Sequence, residues 1–169
     1  MFRFVYAMRL SSVFLIMFTL TVGFACAGVL TRRKRLWKAL NLTFALVSLS
    51  AILYLTVLCR SPGDYGADLK PFSSLLKAKY QPEVYRAMVM NVFLFFPFGL
   101  GFSVSLPEKC PLAARILITA AAGFLVSFGV EFLQYKYALG MAEADDVICN
   151  TLGAVIGGLT LAVRRILSS

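Results

Sequence analysis

The sequence contains no histidine and few acidic residues. Its 169 residues include 17 lysines and arginines but only eight aspartates and glutamates. The absence of histidine excludes Ser-His-Asp and Cys-His catalysis and HExxH zinc sites. The four cysteines form no CxxC pair, which argues against a metal site or a disulfide framework. We therefore expect no metal and no other cofactor.

Long apolar runs dominate the chain. Hydrophobic residues make up 60% of it, and the mean hydropathy of +0.81 is far above that of soluble domains. Five segments approach the roughly 20 residues needed to cross a bilayer, namely 10–30, 39–58, 87–106, 116–135 and 146–163. The sequence predicts an all-α polytopic bundle of about five transmembrane helices. Residues 1–86 supply two helices and an external loop, and residues 87–169 supply a three-helix core of the same membrane unit.

The basic residues flank the apolar segments and predict an orientation. The basic run in residues 31–35 is expected in the cytoplasm, which places the N-terminus outside and the C-terminus, with Arg164 and Arg165, inside. Arg3 and Arg9 count against this orientation. Cations beside membrane segments indicate contacts with lipid headgroups, and binding of nucleic acid is not expected. The loop of residues 59–86 is then external, either as an ordered cap on the headgroups or as a plain connection.

Four of the eight acidic residues lie in one short window near the C-terminus: Glu131, Glu143, Asp145 and Asp146. Acidic groups at membrane depth are costly and are usually retained for function. At 1.5 Å per residue, Glu131 lies about 22 Å along the fourth segment, just below the outer boundary of the hydrocarbon. The window therefore predicts a polar layer near the outer face.

Helical phasing separates the two adjacent aspartates. Asp146 and Asn150 share one face with Gly153 and Gly157, whereas Asp145 points about 100° away. The two glycines form a GxxxG pattern, which permits close approach of another helix. Asp146 is therefore predicted to be the buried member of the pair.

Three segments bring polar residues to the same outer depth: Asn91, Glu131, Gln134, Asp146 and Asn150. We assign candidate catalytic roles to Glu131 and Asp146, and candidate ligand-binding roles to the three amides. Candidate structural roles fall to Pro97, which predicts a helix kink, and to Gly99, Gly153 and Gly157. The competing interpretation is structural, because amides in membrane helices often only join neighbouring helices and Asp146 also suits a helix N-terminus.

Two sequence blocks carry a resemblance to a known family. The first, Asn91-x-x-x-Phe95-x-Pro97-x-Gly99, resembles a segment of the VanZ-like membrane proteins. The second resembles that family's other signature and reads Glu131-x-x-Gln134, then Asp146-x-x-x-Asn150-x-x-Gly153-x-x-x-Gly157. The family usually has an arginine between its glutamine and its aspartate, and this chain has none there.

The resemblance implies a multi-pass protein of the bacterial cytoplasmic membrane, linked to low-level resistance to teicoplanin and related glycopeptides. Its expected partners are membrane lipids and a lipid-linked cell-wall component or glycopeptide-related ligand. Two alternatives stay open: an intramembrane acid–base enzyme acting on a lipid or glycolipid headgroup, and a small proton-coupled carrier. The sequence leaves the oligomeric state undetermined.

Overall fold

A computed structural model of the chain describes residues 10–31, 33–63 and 65–168. Five helices in it are long and apolar enough to cross a membrane. They are α1 (Leu10–Leu30), α2 (Lys34–Leu53, extended by a π-helical turn at Tyr54–Leu58), α4 (Pro82–Ser105), α5 (Leu112–Lys136) and α6 (Ala144–Ser168). The predicted all-α membrane bundle is confirmed.

Four of the five membrane helices begin before the apolar runs that predicted them. Helix α4 begins at Pro82, and α5 follows Pro111 directly, because proline suits the start of a helix, where its missing N–H is not needed. Helix α4 continues without a break through Pro97. Hydropathy marks the part of a helix that can lie in hydrocarbon. It therefore underestimates the length of a helix that continues into the membrane interface.

The long loop between α2 and α4 is ordered. It contains strand β1 (Tyr65–Asp68) and the short helix α3 (Ser73–Ala78), and β1 pairs in parallel with β2 (Gly140–Glu143). We call residues 65–80 the cap. Asp68 stabilises the cap by accepting hydrogen bonds from Ser73 Oγ at 3.0 Å and from Lys70 N at 3.2 Å. The loop is therefore structured, and its predicted position on the lipid headgroups stays a prediction.

Helix α4 lies at the centre of the bundle, with its most extensive contacts against α6. A Cβ added at Gly99 would collide with the backbone of Ala154, and one at Gly157 with the backbone of Phe96. The two helices therefore pack backbone against backbone, the close approach that small residues permit in membranes. The buried core beside this contact consists of Ala45, Ile52, Phe95, Phe98, Val130 and Ala154.

The end of the bundle opposite the cap carries a set of ion pairs and a buried arginine. Glu108 pairs there with Lys34 at 3.7 Å and with Lys38 at 3.6 Å. Arg115 is buried there, and its guanidinium donates to Ser103 O at 2.7 and 3.1 Å. It satisfies carbonyls at the C-terminal end of α4, which lack partners within the helix.

The predicted orientation depends partly on residues that lie outside the described part of the chain. These are Arg3, Arg9 and Arg32, and the side chains of Arg164 and Arg165. The orientation stays a prediction.

Candidate functional site

The polar side chains of α4, α5 and α6 meet at the end of the bundle that carries the cap. Glu131 is in the second-to-last turn of α5, and the short connection through β2 returns the chain to α6, which starts at Ala144. Asp145 and Asp146 lie in the first turn of α6, where the positive end of the helix dipole favours acidic side chains. Strand β2 therefore sets these carboxyl groups against α5.

Glu131 is buried, with 7% of its surface exposed. Its Oε2 accepts a hydrogen bond from the backbone N–H of Glu143 at 3.0 Å. The carboxyl group also interacts electrostatically with Asp146 and with Arg60. Glu131 thus faces the protein interior rather than lipid.

Asp146 is half-buried and lies within reach of two other helices. The side chain of Asn91, on α4, interacts with its carboxyl group. Its electrostatic interactions extend to Glu143 and Arg60 as well as to Glu131. The structure therefore brings Asn91, Glu131 and Asp146 together, one from each of the three helices. We call these three residues the polar cluster.

Asn150 and Gln134 flank the cluster. Asn150 Nδ2 donates to Ser127 Oγ at 2.9 Å, one helical turn below Glu131. Gln134 Nε2 donates to the backbone carbonyl of Thr56 at 3.1 Å and so joins α5 to the π-helical turn. Both amides are buried, but their hydrogen bonds are with these neighbours rather than with the carboxyl groups. Their predicted ligand-binding roles stay predictions, as do the catalytic roles of Glu131 and Asp146.

Asp145 contradicts the helical phasing argument. It is buried, with 3% of its surface exposed, whereas Asp146 is half-buried. Its carboxylate accepts hydrogen bonds from the backbone N–H groups of Phe72 at 2.5 Å and Ser74 at 2.6 Å. The prediction that Asp145 points away from the interior was wrong, because it considered only helix faces and not the cap that folds over this end.

Arg60 is a site residue that the sequence argument missed. It follows the π-helical turn, and its Nη1 reaches the carbonyl of Leu139 at 3.5 Å. A Cβ added at Gly140 would lie 2.6 Å from this nitrogen, and Gly140 has a φ of +147°, which also favours glycine. A guanidinium thus stands beside the stretch where the family's arginine is absent, but it comes from another part of the chain. In the sequence, the one indication of this residue was the absence of the family's arginine between Gln134 and Asp146.

No group of three or more Cys, Asp or Glu side chains within the described residues is arranged to hold a metal ion. The arrangement offers two carboxyl groups, an amide and a guanidinium around one position. Such groups can exchange a proton, bind a charged headgroup or hold helices together.

Comparisons with known proteins agree with the two sequence blocks. The family model VanZ/LLP1 matches residues 46–165, which include all of α4, α5 and most of α6. A relative, Protein VanZ of Enterococcus faecium, is 35% identical over 75 residues, or 43% of this chain. The alignment spans only 42% of that relative's length. No solved structure matches the chain. Because the family model covers more than half of the sequence, the chain belongs to the VanZ/LLP1 family of membrane proteins.

Proposed function

We propose that this protein binds or modifies a cell-envelope component at the polar cluster, on the outer face of the bacterial cytoplasmic membrane. The observation that carries the proposal is the convergence of Asn91, Glu131 and Asp146 from three helices, with Arg60 beside them. Burying a carboxyl group at membrane depth costs free energy, so such groups are usually paired or functional. The resemblance to VanZ-like proteins adds the expected outcome, lower susceptibility to teicoplanin.

The charge distribution supports an outward-facing cluster. Lys34, Lys38 and Lys109 lie at the end of the bundle opposite the cap, where Glu108 is the one acidic residue among those described. The cap end also carries cations, such as Lys70 and Lys77, but it has the other six described acidic residues. Short basic loops mark the cytoplasmic side of membrane proteins. The cap end then meets the outer leaflet, where lipid-linked wall components are accessible. Exposed apolar side chains on the cap, such as Phe72, Leu76 and Tyr80, suit contact with that interface.

The test is a susceptibility assay in a glycopeptide-sensitive Gram-positive host. Expression of the wild type should raise the inhibitory concentration of teicoplanin, and Glu131→Gln or Asp146→Asn should return it toward that of the empty vector. Glu83→Gln is the matched control, because Glu83 is exposed and lies in the first turn of α4 away from the cluster. Membrane levels of each variant are compared by quantitative immunoblot. Equal protection by every variant at equal levels would refute the role of the cluster.

A second candidate is an acid–base enzyme acting on a lipid or glycolipid headgroup. The electrostatic contact between Glu131 and Asp146 favours it, because two adjacent carboxyl groups can divide the acid and base roles. It predicts a lipid species that appears with the wild type and disappears with either conservative variant. Identical lipid profiles with and without the protein would exclude it.

A further inference from the structure

The amide of Gln134 presents a buried oxygen that lacks a donor. Its Nε2 faces the carbonyl of Thr56, which can only accept, so the orientation of the amide is fixed by chemistry. Its Oε1 has no hydrogen-bond partner within the described residues, although only 2% of the side chain is exposed. Buried acceptors are normally paired, so this oxygen has room for a donor from outside the chain, which a bound water or a ligand can supply.

Asn150 repeats the pattern on the neighbouring helix. Its Oδ1 is also buried and lacks a partner in the described part of the structure, while its Nδ2 contacts Ser127. Asn150 lies one turn below Asp146 on the same face of α6, and Gln134 lies one turn above Glu131 on α5. The two unpaired oxygens therefore bracket the two carboxyl groups in depth.

The surroundings add negative charge. Glu143 and Asp145 both act electrostatically on Asp146, while Arg60 opposes them. Asp145 is already occupied by two backbone N–H groups of the cap. Asn91 and Arg60 act on the carboxyl groups, whereas Gln134 Oε1 and Asn150 Oδ1 are surplus acceptors that lack a donor within the described residues. A group with several N–H donors and a positive charge matches this surplus, whereas a phosphate would add further acceptors.

We propose that the polar cluster recognises a primary ammonium group, carried by an amino-bearing headgroup of the cell envelope. The ammonium lies between Glu131 and Asp146, its remaining N–H group donates to Gln134 Oε1, and Asn150 Oδ1 takes any further donor of the ligand. The proposal rests on the proposed function and narrows its ligand to an amine.

Binding to the purified full-length protein in detergent micelles tests this choice. Dihexanoylphosphatidylethanolamine and dihexanoylphosphatidylcholine share chains and phosphate, but the choline nitrogen has no N–H donor. Isothermal titration should give at least about tenfold tighter binding of the ethanolamine lipid, the effect of one charge-assisted hydrogen bond. Gln134→Met should remove about tenfold of that affinity and leave the choline lipid unaffected. Gln81→Met, at an exposed position before α4, is the matched control and should change neither.

Further binding measurements distinguish a lipid headgroup from a soluble amine, and an amine site from a phosphate site. Glycerophosphoethanolamine, which lacks acyl chains, should bind as tightly if a soluble amine is recognised and more weakly if a lipid headgroup is. Equal wild-type affinities for the ethanolamine and choline lipids would overturn the proposal, with no variant needed. Tighter binding of dihexanoylphosphatidic acid, lost in Arg60→Gln, would overturn it in favour of a phosphate site. Selective amine binding without teicoplanin protection would refute only the resistance role. Protection without amine selectivity would refute only the ligand class.

Discussion

Replacing Gly153 by alanine tests the backbone contact that positions the polar cluster. An ideal Cβ at this position meets the backbone of Val92, with the carbonyl carbon at 2.9 Å and Cα at 3.0 Å, whereas ordinary contacts are 3.4–4 Å. Backbone atoms cannot rotate away as a side chain can, so α4 and α6 must separate. Overpacking of this kind costs about 1–3 kcal/mol. Alanine recovers about 1 kcal/mol of helix propensity, so a net loss of up to about 2 kcal/mol is expected.

Gly129→Ala is the control for this substitution. Gly129 also lies within a membrane helix, but nothing stands within 4 Å of its ideal Cβ. It should leave stability unchanged or raise it by up to about 1 kcal/mol. Unfolding in mixed micelles with increasing sodium dodecyl sulfate, followed by circular dichroism, gives the free-energy difference. If Gly153→Ala were as stable as Gly129→Ala, the close packing of α4 on α6 would be refuted.

Three further predictions concern the cap end of the bundle. Arg60→Ala removes a cation from beside two carboxyl groups and should destabilise the protein by about 1–3 kcal/mol in the same unfolding assay, with Arg60→Lys intermediate; a neutral effect would contradict the placement of the guanidinium. Asp145→Asn leaves one acceptor oxygen for two backbone N–H groups and should speed hydrogen exchange of the cap amides, and unchanged exchange would contradict the contact. The hydroxyl of Ser73, a backbone N–H and Lys77 hold the pKa of Asp68 below its usual value. A lowered pKa in the folded state stabilises the cap at pH values above the unfolded-state pKa of about 3.9, and this stabilisation is lost as the pH falls through the folded-state pKa. The hydrogen-exchange rate of the cap amides, corrected for its intrinsic pH dependence, should therefore change only in acid. Asp68→Asn should abolish that change.

The membrane helices were predictable because each has to bury a continuous apolar surface in hydrocarbon. The third predicted segment, 87–106, falls inside α4, Pro82–Ser105, except for its last residue. The missing turns at the start of α4 are polar, with Glu83 and Arg86, so hydropathy could not assign them. The π-helical turn at Tyr54–Leu58 had no sequence signal at all.

The polar cluster was only partly predictable, for a different reason. Periodicity places residues on the faces of single helices, and it correctly brought Asp146 to the side of α6 that meets Asn91. It could not show the parallel pairing of β1 with β2, which depends on residues about 75 positions apart. That pairing brings the cap over Asp145 and positions Arg60 beside Gly140, so both assignments required the tertiary structure.

The contacts of the π-helical turn have a consequence for biosynthesis. Thr56 meets Gln134 across a sequence separation of 78, and Arg60 meets Leu139 across 79. The ribosome therefore releases the first membrane hairpin well before its partners emerge, and Glu131 leaves the exit tunnel before Asp146 does. An insertase or a neighbouring lipid must shield these side chains in the interval. Nascent chains arrested after α5 should consequently be the form most sensitive to membrane quality-control proteases.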